Sequence, residues 1–248
     1  ELNAIPHHLI GVIEPKDRFS VAGYQKMAVK EIDDILSRGK LPVLAGGTGL
    51  YINSIIYDMD FAANPADNSL REELSELDNV ELHRLLESID EKASARIHPN
   101  NRKKVIRAIE AARAGEKVED FRESFKKNEK YEPHMLALTM DRDVLYEKIN
   151  GRVEQMFESG LVDEVKRLMD QGLSYDDISM KGIGYKEVIE YLEGKTDYDT
   201  AVDNVKKNTR HYAKRQFTWL KQYQDLEYFD VTDKDLTEEI ISWLKKRL

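Results

Sequence analysis

Five residues, Leu41-Pro42-Val43-Leu44-Ala45, run straight into Gly46-Gly47-Thr48-Gly49, and a helical period opens at Leu50. Strand, glycine turn and helix in immediate succession constrain the fold more than any other stretch, because such units build sheets whose helices cover their faces. Residues 9–13, bounded by Pro6 and Pro15, read as another short buried strand. Ser20 is placed to cap a helix that runs through Ile32 and Ile35 and stops at Gly39. Two further strands are expected at residues 135–140 and 226–231. Strands alternating with helices predict an α/β fold with a parallel sheet.

Between residues 60 and 130 the pattern changes to helical periods with no convincing strand, punctuated by Pro65, Asn68, Pro99 and Asn100. The expected organisation is an α/β core from residues 1–59 and 131–248 that carries a helical insertion at 60–130. Residues 142–223 are helical too, giving a helix-rich C-terminal part. A chain of 248 residues can bury one large or two modest cores. No apolar run approaches the ~20 residues of a membrane span, so no membrane partner is expected. With no cysteine there is neither a disulfide framework nor a thiolate metal site. His7 and His8 would point to opposite faces of a strand, and no third ligand lies at useful spacing, so no metal ligand is assigned.

The chain is acidic, with net charge -9, yet no carboxylate interrupts the stretch between Asp203 and Asp225. At 100° per residue Lys207, Arg210, Lys214 and Lys221 fall within an arc of about 60°. Val205, Tyr212, Gln216, Trp219 and Tyr223 take the opposite face. On the residues alone this is either a solvated charged face or a surface that meets an anion such as a nucleic-acid backbone. Arg102, Lys103, Lys104 and Arg107 form a second cluster, which is again an anion surface or a solvated face with Arg107 paired to Glu110. Lys181-Gly182-Ile183-Gly184-Tyr185-Lys186 joins two glycines to two lysines and an aromatic, with Tyr185 free either to stack on a base or to pack inside. Arg152 sits at the edge of a face built by Ile149, Val153 and Met156, either snorkelling toward Glu154 or Asp143 or facing a phosphate. Gly46-Gly47-Thr48-Gly49 lets backbone approach an anion closely, or simply makes the turn.

Five segments together carry a resemblance: PHHLI at 6–10, GGTGLYI at 46–52, HPNNRKKVIRAIE at 98–110, KGIGYKEVIEYLEG at 181–194 and TRHYAKRQFTW at 209–219. In this order they resemble the bacterial tRNA dimethylallyltransferases, or tRNA isopentenyltransferases, over nearly the whole chain. The resemblance implies a P-loop-type parallel sheet core and transfer of a dimethylallyl group from dimethylallyl diphosphate to N6 of adenosine 37, with Mg²⁺ assisting. It implies that Gly46, Gly47, Thr48, Gly49 and Arg152 bind the diphosphate, with Thr48 and Arg152 catalytic. It further implies that Arg71, Lys103, Lys104, Arg107, Lys181, Tyr185, Lys186, Arg210, Lys214, Arg215, Gln216, Trp219 and Lys221 meet the tRNA anticodon stem-loop. A cytoplasmic monomer is the expected form. No GxxxxGK[ST] run occurs, so the sequence looks like a member without its first strand, its phosphate loop and its general base. The alternatives are an inactive RNA-binding fragment and a relative that prenylates free adenylate. A plain P-loop kinase would explain none of the C-terminal segments.

Overall fold

The computed structural model describes residues 5–59, 68–115 and 126–248. It divides into two compact units, one of residues 1–52 and 132–248, the other of residues 53–131. The boundary expected at Asp60 and the punctuation at Pro65 lie outside the described residues.

In the first unit α1 (Val21–Ser37) starts where the sequence predicts, with Gly23 N–H donating to Ser20 Oγ at 3.1 Å. Two strands, β1 (Leu136–Thr139) and β2 (Glu227–Asp230), pair in parallel with Leu136 opposite Glu227 and Thr139 opposite Asp230. Trp243, on the helix of residues Leu236–Lys245, meets Phe229 of β2 edge to face, with ring centroids 6.0 Å apart. The main core lies among four helices. They are α7 (Arg142–Glu158), α8 (Leu161–Asp170), α9 (Tyr185–Leu192) and α10 (Tyr198–Leu220), which bury Val153, Phe157, Val165, Val188, Ile189 and Val205.

The strands expected at residues 9–13 and 41–45 are not formed. Ile10 is 65% exposed and Val43 81% exposed, and neither segment joins a sheet. A strand is held by hydrogen bonds to a neighbour. Among the described residues β1 and β2 bond only to each other, and no strand lies beside either apolar run. Apolar patterning identified them as strand-like without supplying that partner.

The second unit packs α3 (Asn68–Ser75), α4 (Asn79–Ile89), α5 (Glu91–Arg96) and α6 (Arg102–Arg113) around Leu74, Leu82, Leu86, Val105 and Ile109, all fully buried. A capping box opens α4: Asp78 accepts from Val80 and Glu81 N–H, and Glu81 accepts from Asp78 N–H. Its one β-type contact among the described residues is an isolated bridge between Tyr57 and Lys127.

Candidate functional site

α2 (Gly49–Ile56) begins directly after Thr48, whose carbonyl accepts from Tyr51 N–H at 2.9 Å and Ile52 N–H at 3.2 Å. Thr48 itself is exposed. The glycines on either side of it are needed for space. A Cβ at Gly47 would stand 1.7 Å from Gln216 Nε2, and one at Gly49 would stand 1.9 Å from Trp219 Nε1. Gln216 Nε2 also donates to Gly47 O at 3.3 Å, across 169 positions of sequence. The glycine turn and the basic helix, separate segments in the sequence, are therefore in contact. Beside them Tyr51 stacks on Tyr24 with centroids 4.2 Å apart, and Phe19 meets Tyr51 edge-on. Burial, reinforced by the neighbouring Tyr51, pushes the Tyr24 phenol above its usual range.

α10 separates its faces as an amphipathic helix does. Ala201, Val205 and Ala213 are buried, while Lys207, Lys214, Arg215 and Lys221 are exposed. Arg215 lies over the ring of Tyr212, its guanidinium carbon 5.6 Å from the centroid. Two features depart from the expected faces. Arg210 turns sideways to donate to Asn150 Oδ1 at 2.6 Å, because α7 packs along that flank. Tyr212, expected to pack, is 38% exposed. Arg152 is also exposed on α7. Glu154, one of the carboxylates weighed as its partner, instead holds Lys206 at 2.6 Å. No hydrogen bond or ion pair holds Arg152 among the described residues.

The second unit gathers a different group. Arg71 on α3 grips Glu110 on α6 through Nε at 2.5 Å and Nη2 at 3.1 Å, and Arg107 Nη1 stands 3.6 Å from the same carboxylate. The Glu110 side chain is 5% exposed and each arginine 44%, so a buried anion sets the place of two half-exposed cations. The hydrogen bond to Glu110 raises the Arg71 guanidinium above its usual range. Lys103 and Lys104 remain exposed. Arg102 leaves the cluster: its guanidinium donates to Leu74 O, Ser75 O and Leu77 O at 2.7 to 2.9 Å and so caps the end of α3. The spacing of Arg107 and Glu110 is visible in sequence. The part of Arg71, 39 positions upstream, is not.

In the 181–186 loop the organising group is again a buried carboxylate. Glu187, 2% exposed, accepts from Gly184 N–H at 2.7 Å and Asn208 Nδ2 at 2.7 Å, and Lys186 Nζ stands 3.3 Å away. Lys181 is exposed at the end of a single 3-10 turn. Tyr185 donates its hydroxyl to Glu164. Burial, then that bond, pushes its phenol up to about 12.

The IPP transferase family profile matches residues 1–223. The chain belongs to the IPP transferase family. It is 47% identical to the tRNA dimethylallyltransferase of Alkaliphilus metalliredigens, over 99% of this chain and 80% of that one. Among solved structures it is similar to the full-length tRNA isopentenylpyrophosphate transferase of Bacillus halodurans, with 41% identity and a TM-score of 0.71 over 99% of this chain and 79% of that one. A eukaryotic dimethylallyltransferase acting on tRNA shares the fold at 23% identity, with a TM-score of 0.81 over 96% of this chain and 64% of that one. The α/β fold expected from the alternation of strands and helices is thus that of the IPP transferases.

Mg²⁺ was expected from the resemblance. Among the described residues no three His, Asp or Glu side chains come together to hold a metal ion. His8 Nδ1 pairs with Glu31 at 2.5 Å, and His7 Nδ1 contacts Ile5 O at 2.7 Å. Among the described residues, no helix is long and apolar enough to cross a membrane.

Proposed function

We propose that this IPP transferase moves a dimethylallyl group from dimethylallyl diphosphate to N6 of adenosine 37 in the anticodon loop of tRNA. The observation that carries the reading is family membership together with 47% identity over 99% of the chain to a tRNA dimethylallyltransferase. In the reaction the N6–carbon bond forms as the carbon–oxygen bond to diphosphate breaks, and N6 gives up a proton. An exocyclic amine is a weak nucleophile, so catalysis must come from holding it in line and stabilising the negative charge that grows on the leaving group. Thr48, exposed at the head of α2, offers a hydroxyl and a backbone N–H for that charge. Arg152 offers a planar guanidinium uncommitted to any partner described here, suited to two phosphate oxygens at once.

N6 is reached only when the base leaves the stack, at a cost of a few kcal/mol offset by contacts elsewhere on the RNA. The exposed Lys207, Lys214, Arg215 and Lys221 of α10 are proposed for those contacts in the first unit. Arg71, Lys103, Lys104 and Arg107 are proposed in the second unit, and Lys181 before α9 together with Lys186 in its first turn. Tyr185 is committed to Glu164 and contributes its ring rather than its hydroxyl. A cytoplasmic enzyme acting on the tRNA pool fits this substrate.

The reading is tested by titrating an unmodified anticodon stem-loop into the chain at several salt concentrations, with adenosine monophosphate as competitor. The expected result is binding that weakens by roughly 0.7 to 0.9 log units per log unit of salt for each phosphate engaged, and that the mononucleotide does not displace. Displacement by the mononucleotide, or affinity indifferent to salt, would favour the free-adenylate alternative.

A further inference from the structure

Gln216 and Trp219 lie within the basic stretch of α10, where Lys214, Arg215, Thr218 and Lys221 are exposed. Their own contacts run the other way. Gln216 Nε2 donates to Gly47 O at 3.3 Å, and its amide fills the space a side chain at 47 would take. The Trp219 indole occupies the corresponding space at Gly49, and its Nε1 donates to Tyr223 OH at 3.0 Å, which fixes the ring's orientation. Gly47 and Gly49 flank Thr48, so α10 holds the loop on both sides of the one residue that offers a hydroxyl.

The geometry of the peptide bond makes this hold directional. No cis peptide occurs among the described residues, and in a trans peptide the carbonyl and the following N–H point in opposite directions. A hydrogen bond that draws Gly47 O toward α10 therefore aims Thr48 N–H away from α10, toward the side where an anion can approach. Trp219 blocks the loop from collapsing onto the helix at Gly49.

We propose that Gln216 and Trp219 are positioning residues for the diphosphate-holding loop, so that α10 serves two substrates: its exposed cations meet RNA while these two side chains set the loop. The proposal rests on the assignment of Gly46–Gly49 as the diphosphate site. It separates Gln216 and Trp219 from Lys214 and Arg215, which would otherwise be grouped with them as RNA contacts.

The test titrates inorganic diphosphate and, separately, unmodified anticodon stem-loop into the 248-residue chain. Wild type is compared with Gln216→Ala, Trp219→Ala, Trp219→Phe and Lys214→Ala, with Tm recorded for each. Loss of one positioning hydrogen bond corresponds to about a three- to tenfold effect. Gln216→Ala and Trp219→Ala should weaken diphosphate binding by that factor and leave stem-loop affinity within twofold. Trp219→Phe, which keeps a ring against Gly49, should restore diphosphate affinity, and Lys214→Ala should show the opposite pattern. Should Gln216→Ala fail to fold, Gly47→Ala displaces the same contact from the loop side and carries the same expectation. The proposal is overturned if the Gln216 and Trp219 variants weaken stem-loop binding and spare diphosphate, if they move neither, or if both affinities fall only in step with Tm. Absence of diphosphate binding by the wild-type chain overturns it as well. Diphosphate binding without stem-loop binding would instead strike the RNA assignment, and the variants would still decide this one.

Discussion

The role proposed for Thr48 rests on one hydroxyl and one N–H, both available because the residue is exposed between two glycines that a helix presses against. Thr48→Ala should slow transfer by roughly 100- to 1,000-fold while stem-loop affinity holds, as expected when a donor to developing charge is removed; steady-state kinetics with a parallel binding titration checks it. Tyr185 gives a pH prediction. Its phenol is raised to about 12 from an ordinary value of 10.0, by burial first and the bond to Glu164 second. The unfolded chain therefore releases this proton before the folded one does. The stability the group contributes is complete below about pH 10 and is lost as pH rises from about 10 toward about 12. Absorbance titration of the tyrosinates should lose one late-titrating phenol in Tyr185→Phe; an unchanged high-pH limb would contradict the bond. The pairing was not legible in sequence, because Glu164 lies 21 positions from Tyr185 and nothing local connects them.

Helices were read from sequence with more success than strands, for a physical reason. A helix closes its hydrogen bonds within itself, so the cap at Ser20 and the stop at Gly39 are local signals, and α1 follows them. Residues 9–13 and 41–45 have strand composition, but a strand exists only beside another, and no local pattern reports whether the neighbour is there. The basic face of α10 was legible from its 100° step, except where tertiary packing intervened: α7 claimed Arg210 through Asn150. Replacing Lys214 and Arg215 together by alanine removes two exposed cations from that face. The salt slope of stem-loop binding should fall by roughly 1.4 to 1.8, with Tm unchanged. Lower Tm with an unchanged slope would make the face structural. In α6 the opposite holds for Arg102, whose guanidinium caps α3; Arg102→Ala should cost about 1 to 3 kcal/mol in urea unfolding, because three carbonyls lose their donor.

The proposed RNA substrate is compatible with a net charge of -9 because the cations are concentrated in a few segments. Carboxylates are not excluded from those regions. Buried Glu110 places Arg71 and Arg107, and buried Glu187 places Lys186, so acidic groups inside orient basic groups outside. Family membership was legible because five segments keep their order along the chain. The meeting of the glycine loop with α10 was not, because a contact across 169 positions leaves no mark on either motif alone. The most direct test of the account is radiolabel transfer from dimethylallyl diphosphate to an unmodified anticodon stem-loop. It should be run with free adenosine monophosphate as the competing acceptor. The account predicts label on N6 of adenosine 37 and none on the mononucleotide. Label on the mononucleotide, or on neither acceptor while stem-loop binding persists, would contradict it.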